Sequence, residues 1–156
     1  MQTPQTLCQL ITHGVYVIAV TDGQHDRAFT AAWVMQVSFE PLLPAFSINP
    51  RHGCYAILKS GGRCTINVLA KQQLSLAAHF GRSGQPDKMA GHQWQKSKAG
   101  VPVLTESLGY FDCRVSKMTN AGDHELVVCE VLDAVFLNTG EPMLYRETGN
   151  MDGMGL

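Results

Sequence analysis

Three stretches of the chain carry residue types that chemistry needs, at spacings that chemistry can use. Gly122-Asp123-His124 sets a carboxylate beside an imidazole, a pairing that fixes a ring tautomer and orients its free nitrogen. A tight turn would use the same Gly and Asp for its backbone alone. Asn49-Pro50-Arg51-His52-Gly53-Cys54-Tyr55 places a cation and a run of backbone N–H groups just ahead of a short helical patch. Such a loop can hold a phosphate or another anion, with Arg51 as the preferred partner. Solvated loop residues are the alternative for Arg51 and His52. The third stretch runs from Phe29 to Pro41, where Thr30, Ala31 and Ala32 are small enough for a planar ligand to approach backbone amides. Taken alone, it also fits an ordinary core strand. Asn67 sits in the run Arg63 to Leu69, either near a ligand or tying its amide to neighbouring backbone.

Other chemistries find little footing. There is no G-x-S-x-G elbow, no G-x-G-x-x-G after a strand and no G-x-x-x-x-G-K-[ST], so a serine hydrolase, a Rossmann site and a P-loop all lack their motifs. The six histidines stand singly, without the i, i+4 spacing that puts two ligands on one helical face, and no metal site is expected. The five cysteines, Cys8, Cys54, Cys64, Cys113 and Cys129, are odd in number and form no C-x-x-C pair, which suits free thiols in a reducing cytoplasm.

The elements that must position these residues are mostly strands. Pro4–Leu10 reads as a short helix, and Val15–Val20 as a β-branched strand stopped by Asp22-Gly23. One long strand is expected over Ala28–Phe39 and another over Ala45–Ile48, each followed by a proline signal. A short helix over Gly53–Ser60, a strand over Cys64–Leu69 and a helix over Gln72–Phe80 come next. Arg82 to Gly100 is polar and irregular, an excursion carrying a helical turn. Strands over Gly109–Lys117, Glu125–Leu137 and Met143–Arg146 complete the chain, with a turn through Asn120-Ala121-Gly122-Asp123. The helices fall too irregularly for a succession of βαβ units, so a closed or partly open antiparallel β-barrel with helical insertions is the expected fold class.

Composition sets the frame for this barrel. A chain of 156 residues, 45% hydrophobic and 16% charged, suffices for one buried core, and a single domain over 1–156 is expected. With 12 Lys+Arg against 13 Asp+Glu and a net charge of -1, nothing gathers polyanions, so neither nucleic acid nor membrane is expected as a partner. The N-terminal residues lack a basic region followed by an apolar one, and no apolar run reaches spanning length, so a cytoplasmic protein is expected.

Together the three stretches resemble the flavin reductase family that adopts the FMN-binding split barrel, a Greek-key-like antiparallel barrel. Phe29-Thr30-Ala31-Ala32-Trp33-Val34-Met35-Gln36-Val37-Ser38-Phe39-Glu40-Pro41 is similar to its long strand followed by an acidic residue and proline. Ser47 to Tyr55 together with Arg63-Cys64-Thr65-Ile66-Asn67-Val68-Leu69 is similar to its phosphate-side loop and following strand, and Gly122-Asp123-His124 to its G-D-H signature. Asp87-Lys88-Met89, Gly100 to Leu104 and Pro142 to Arg146 extend the match to about residues 12–147. The resemblance implies a flavoprotein that takes a hydride from NADH or NADPH onto FMN, with FAD as the other flavin, and a homodimer serving a flavin-dependent oxygenase or flavodiiron-type acceptor. It implies that Thr30, Ala31, Ala32, Trp33, Val34, Met35, Gln36, Ser38, Asn49, Arg51, His52, Gly53, Cys54, Tyr55 and Asn67 hold the flavin. His124 would lie near the nicotinamide, with Asp123 shaping its turn. A non-catalytic flavin-binding or electron-transfer module is the alternative. Ala32-Trp33 replaces a small hydroxylated pair, Met35 and Gln36 replace Thr and Ser, and Cys54 and Cys129 stand where Ser and Gly are common. The form Ala32-Trp33-Val34-x-Gln36 is similar to the reductase-like module fused to flavodiiron proteins in oxygenic phototrophs.

Overall fold

The alternation of side chains along a strand explains why Tyr16–Thr21 (β1) is apolar almost throughout. Ile18 and Val20 point into one buried cluster while Val17 and Ala19 point into a second, so both faces of the strand are covered. A computed structural model of the chain describes residues 2–82 and 88–148. In it β1 belongs to a seven-stranded sheet with Asp26–Ala31 (β2), Val34–Ser38 (β3), Leu43–Ile48 (β4), Arg63–Val68 (β5), Gly109–Ala121 (β8) and His124–Phe136 (β9). The order is β2-β1-β5-β8-β9-β4-β3, with antiparallel neighbours throughout.

That order dictates a barrel. Strands β2 and β3 lie at opposite edges of the sheet, yet only Ala32 and Trp33 separate them in sequence. In a flat sheet seven strands at about 4.8 Å spacing would hold those edges about 29 Å apart, whereas three residues of extended chain reach about 11 Å. The sheet must therefore curl until its edges adjoin, leaving a seam between β2 and β3. Register shifts in the long β8–β9 hairpin, at Asp112/Cys113 and Val115/Lys117, add local twist to the curl.

Inside the curl Ile18, Phe29, Phe46, Ile66, Cys64, Cys113, Val127 and Cys129 pack together, joined by Ile57 and Leu58 of the helix Tyr55–Lys59 (α2). Outside it, Leu76, Ala77 and Phe80 of the helix Leu74–Gly81 (α3) cover Val15, Val17, Ala19 and Ala28. Among the described residues, which include all five cysteines, every thiol is free. No helix among them is long and apolar enough to cross a membrane.

Three expectations need correction. The strand expected over Ala28–Phe39 is two strands, because the Val34 N–H donates to the Ala32 carbonyl at 3.0 Å and turns the chain tightly at Trp33. No Gly, Pro, Asn or Asp stands between Ala28 and Phe39, so no turn residue marks the break. In the excursion, the described part holds one hydrogen-bonded turn, from the His92 N–H to the Met89 carbonyl at 3.4 Å, and an unexpected strand, Trp94–Lys96 (β6), that forms a hairpin with Pro102–Leu104 (β7). Gly100, at φ +82, makes its loop possible, and Pro102 is tolerated on a two-stranded edge. Residues 83–87 of that excursion lie outside the described residues. The strand expected over Met143–Arg146 is reduced to isolated bridges, Gly14 with Leu144 and Ala70 with Pro142, before a 3-10 turn at Tyr145–Thr148. A first helix does form, over Pro4–Cys8 (α1), capped by Thr3 and burying none of its residues.

Candidate functional site

The hairpin that ends β8 and begins β9 has a two-residue loop, Gly122-Asp123, shorter than the turn expected from Asn120. Only Gly122, at φ +71, has a positive φ in that loop, the backbone pattern that suits the right-handed twist of the flanking strands. The turn leaves Asp123 exposed (91% of its side chain) and His124 sheltered (22%), with His124 Nδ1 2.7 Å from Asp123 Oδ1. The Asp123 carboxyl is held below its ordinary value, chiefly by that contact. With Nδ1 donating, the neutral ring presents Nε2 as an acceptor.

Far away in sequence, the tight turn between β2 and β3 brings Trp33 to the same place. Its carbonyl accepts the Ser47 N–H at 3.1 Å, fixing the turn against β4. The half-exposed indole meets the His124 ring at a centroid distance of 5.1 Å and a tilt of 53°. Two planar groups thus stand at the barrel mouth beside the seam.

The loop Asn49–Cys54 is organised from within. Asn49 Oδ1 accepts the Arg51 N–H and its carbonyl accepts the His52 N–H, both at 2.9 Å, a side chain mimicking a turn. The Cys54 N–H donates to His52 Nδ1 at 3.1 Å, so the proton of the neutral ring resides on Nε2. His52 packs on Phe29 at 4.6 Å between centroids. Burial, reinforced by the charges of Lys88 and Arg27, pulls its pKa down to about 4. Burial also pushes the Cys54 thiol up to about 11, which makes it a poor nucleophile.

Arg27 and Lys88 bring further positive charge to this loop, where Arg51 was the preferred phosphate partner from sequence. A Cβ on Gly53 would stand 3.1 Å from the Arg27 guanidinium, so the glycine lets a cation lie directly against the loop backbone. Lys88 Nζ donates to the carbonyls of Phe80 at 3.1 Å and Arg82 at 2.9 Å, closing the end of α3, and burial lowers its pKa. The result is a glycine-lined cradle with two cations and a neutral imidazole donor, a donor set suited to a phosphate. Lys88 matches the family pattern without a role of its own, and Arg27, inside β2 but one residue before the strand expected from Ala28, belongs to no motif.

The chain matches known proteins over most of its length. The family model for the flavin reductase like domain matches residues 8–153. The chain belongs to that family. Membership places this flavin reductase-like protein among oxidoreductases. It is 32% identical over 130 residues to the FMN reductase (NADH) RutF of Variovorax paradoxus, covering 82% of this chain and 72% of that one. It is 34% identical over 139 residues to a high molecular weight rubredoxin of Moorella thermoacetica, covering 86% of this chain but only 61% of the relative's length. Among solved structures it resembles a nitrilotriacetate monooxygenase component B homologue from Mycobacterium thermoresistibile, with TM-score 0.82, 27% identity, and 88% and 78% of the two chains covered. The split-barrel fold expected from sequence is the fold of these neighbours.

The flavin reductase-like fold sorts the expected flavin-holding residues into groups. Ala31, Ala32, Trp33 and Val34 lie at the β2–β3 turn near His124, and Val34 packs against the barrel interior. Asn49, Arg51, His52, Gly53 and Cys54 form the loop just described. Thr30 donates its hydroxyl to the Ala77 carbonyl at 2.7 Å, pinning β2 to α3 and leaving only its lone pairs for a ligand. Met35, Gln36 and Ser38 recede from His124 along the edge strand β3, where Met35 and Gln36 are exposed. Two expected ligand residues are committed elsewhere. The Asn67 amide is fully buried, donating to the Val17 carbonyl at 2.9 Å and Thr65 Oγ1 at 3.0 Å and accepting the Leu104 N–H at 3.0 Å. Tyr55 turns its hydroxyl to the Glu125 carboxylate.

Proposed function

We propose that this protein is an NAD(P)H-dependent flavin reductase that binds FMN across the barrel mouth. The observation that carries the proposal is the pairing of a cationic glycine cradle with an aromatic slot, joined by β2. Phe29 beneath His52 and Trp33 beside His124 are four residues apart, at most about 13 Å of strand. A planar ring tethered to a phosphate by a short polyol chain suits two such ends. Arg27, Lys88, His52 and Arg51 would hold the phosphate, and Trp33 with the Ala31–Ala32 backbone would border the ring.

FMN, when bound, supplies a ring nitrogen that accepts a hydride directly, so the protein needs no nucleophile of its own. Its task is to stack two planar groups and exclude other geometries. His124, oriented by Asp123, borders the nicotinamide with an accepting Nε2. Two relatives bear names in keeping with this reading: RutF, named an NADH-using FMN reductase, and HsaB of Rhodococcus jostii, named the reductase subunit of a flavin-dependent monooxygenase and 33% identical over 132 residues. A flavin-dependent oxygenase is accordingly the proposed acceptor system, and the cytoplasm the proposed compartment.

A homodimer is proposed as well. Met35, Val37 and Phe39 on and beyond the edge strand β3, with Leu132 and the 98% exposed Phe136 on β9, leave large apolar groups in water that a second copy would cover. Similarity to the high molecular weight rubredoxin supports a second reading, an electron-transfer module that holds flavin without oxidising nicotinamide. One experiment separates them: record the visible spectrum of the purified protein and follow NADH and NADPH oxidation with and without added FMN. Nicotinamide turnover supports the reductase; a yellow protein that oxidises neither donor supports the second reading, and a colourless one that leaves FMN fluorescence unquenched refutes both.

A further inference from the structure

We infer that Glu125, gripped by Tyr55 and Lys59, is a positioning residue that fixes the anion cradle relative to His124; this rests on the flavin reductase reading of that site. The loop Asn49–Cys54 is bounded by β4 on one side and α2 on the other. Glu125 holds both boundaries. Through its backbone it is the register partner of Ile48, the last residue of β4 before the loop begins. Through its side chain it accepts the Tyr55 hydroxyl on Oε2 and, at 3.3 Å, the Lys59 ammonium on Oε1. Tyr55 and Lys59 are four apart on α2 and share one face, so one carboxylate clamps the first turn of the helix that follows the loop.

Glu125 is also covalently next to His124. Any movement of the cradle that stretched this clamp would drag on the residue that carries the imidazole. The clamp is sheltered on the carboxylate side, since the Glu125 side chain is 14% exposed, so both oxygens are used with little competition from water. The hydrogen bond shifts both partners in the directions of a charged acceptor and a neutral donor: the Glu125 carboxyl is lowered and the Tyr55 phenol raised. Tyr55 therefore serves the cradle by holding its exit.

The test uses the full chain with Glu125→Ala, Glu125→Gln and Tyr55→Phe. Hydrogen exchange without any ligand reads the clamp directly. Exchange at residues 49–55 should accelerate at least tenfold in Glu125→Ala and Tyr55→Phe, while the β6–β7 hairpin stays unchanged. FMN titration by flavin fluorescence then reads the consequence. The dissociation constant should rise about tenfold in Glu125→Ala and stay within threefold in Glu125→Gln, whose amide oxygen still accepts from Tyr55. Unchanged exchange at 49–55, or faster exchange with unchanged FMN affinity, overturns the inference. A general loss of protection across the whole chain in Glu125→Ala would leave Tyr55→Phe, which deletes one hydroxyl, to decide by the same two readouts. If the wild-type protein binds no FMN, the flavin reading fails on its own evidence, and ligand-free exchange still accepts or rejects the clamp.

Discussion

Replacing Asn67 with leucine separates a structural role from a ligand-binding one, because the amide is wholly occupied by protein groups. Asn67→Leu keeps the approximate volume but removes an acceptor for the Leu104 N–H and donors to the Val17 carbonyl and Thr65 Oγ1. Leu104 is fully buried, so its N–H is left without that partner, at about 1–3 kcal/mol. The two lost donations add about 0.5–1.5 kcal/mol each. Part of this is offset by burying an apolar group, which leaves an expected loss of roughly 2–5 kcal/mol. Urea unfolding should show a lower midpoint with an unchanged slope. The folded variant should bind FMN within twofold of the wild type. An unchanged midpoint combined with a tenfold loss of FMN affinity would refute this account, because the amide would then have to serve the cofactor.

Three further outcomes follow from the same contacts. Arg27→Ala or Lys88→Met should weaken FMN binding at least tenfold while leaving riboflavin, which lacks the phosphate, within twofold; fluorescence titration of both flavins checks it. His52 is held neutral down to about pH 4, whereas in the unfolded chain it gains its proton near 6.5. The unfolded state thus binds more protons in that window, so stability should fall as pH drops from about 6.5 toward 4, and His52→Gln should flatten that limb of a pH series of urea midpoints. Gly122→Ala meets no atom within 4 Å but must adopt φ +71, so it should lower stability by about 1–2 kcal/mol. Calorimetry reads that loss, and kinetics should show slower nicotinamide oxidation because His124 follows directly.

The barrel was largely legible because its signals are local. Two-faced strands such as β1 appear as unbroken apolar runs, and proline and glycine mark most of their ends. The turn at Trp33 was not legible, since a backbone hydrogen bond makes it and no Gly, Pro, Asn or Asp marks it. The β6–β7 hairpin hid behind a proline and a polar run. Of the site, the G-D-H turn and the loop at Arg51 could be found because a short motif holds each together. Arg27 and Lys88 reach the loop from β2 and from beyond α3, and only the closed fold brings them there. Tyr55 and Asn67 carried the right residue types in the right segments, yet their polar atoms face Glu125 and the interior. Side-chain direction is set by packing that motifs do not encode.

The central claim is that the aromatic slot serves hydride delivery while the cradle separately retains the flavin. The most direct test is anaerobic stopped-flow of FMN-loaded protein, wild type against His124→Ala, following loss of visible flavin absorbance after mixing with NADH or NADPH. The account predicts that His124→Ala keeps its FMN and bleaches at least tenfold more slowly. Equal loss of FMN retention and of bleaching rate, or full-speed bleaching without the imidazole, would contradict it.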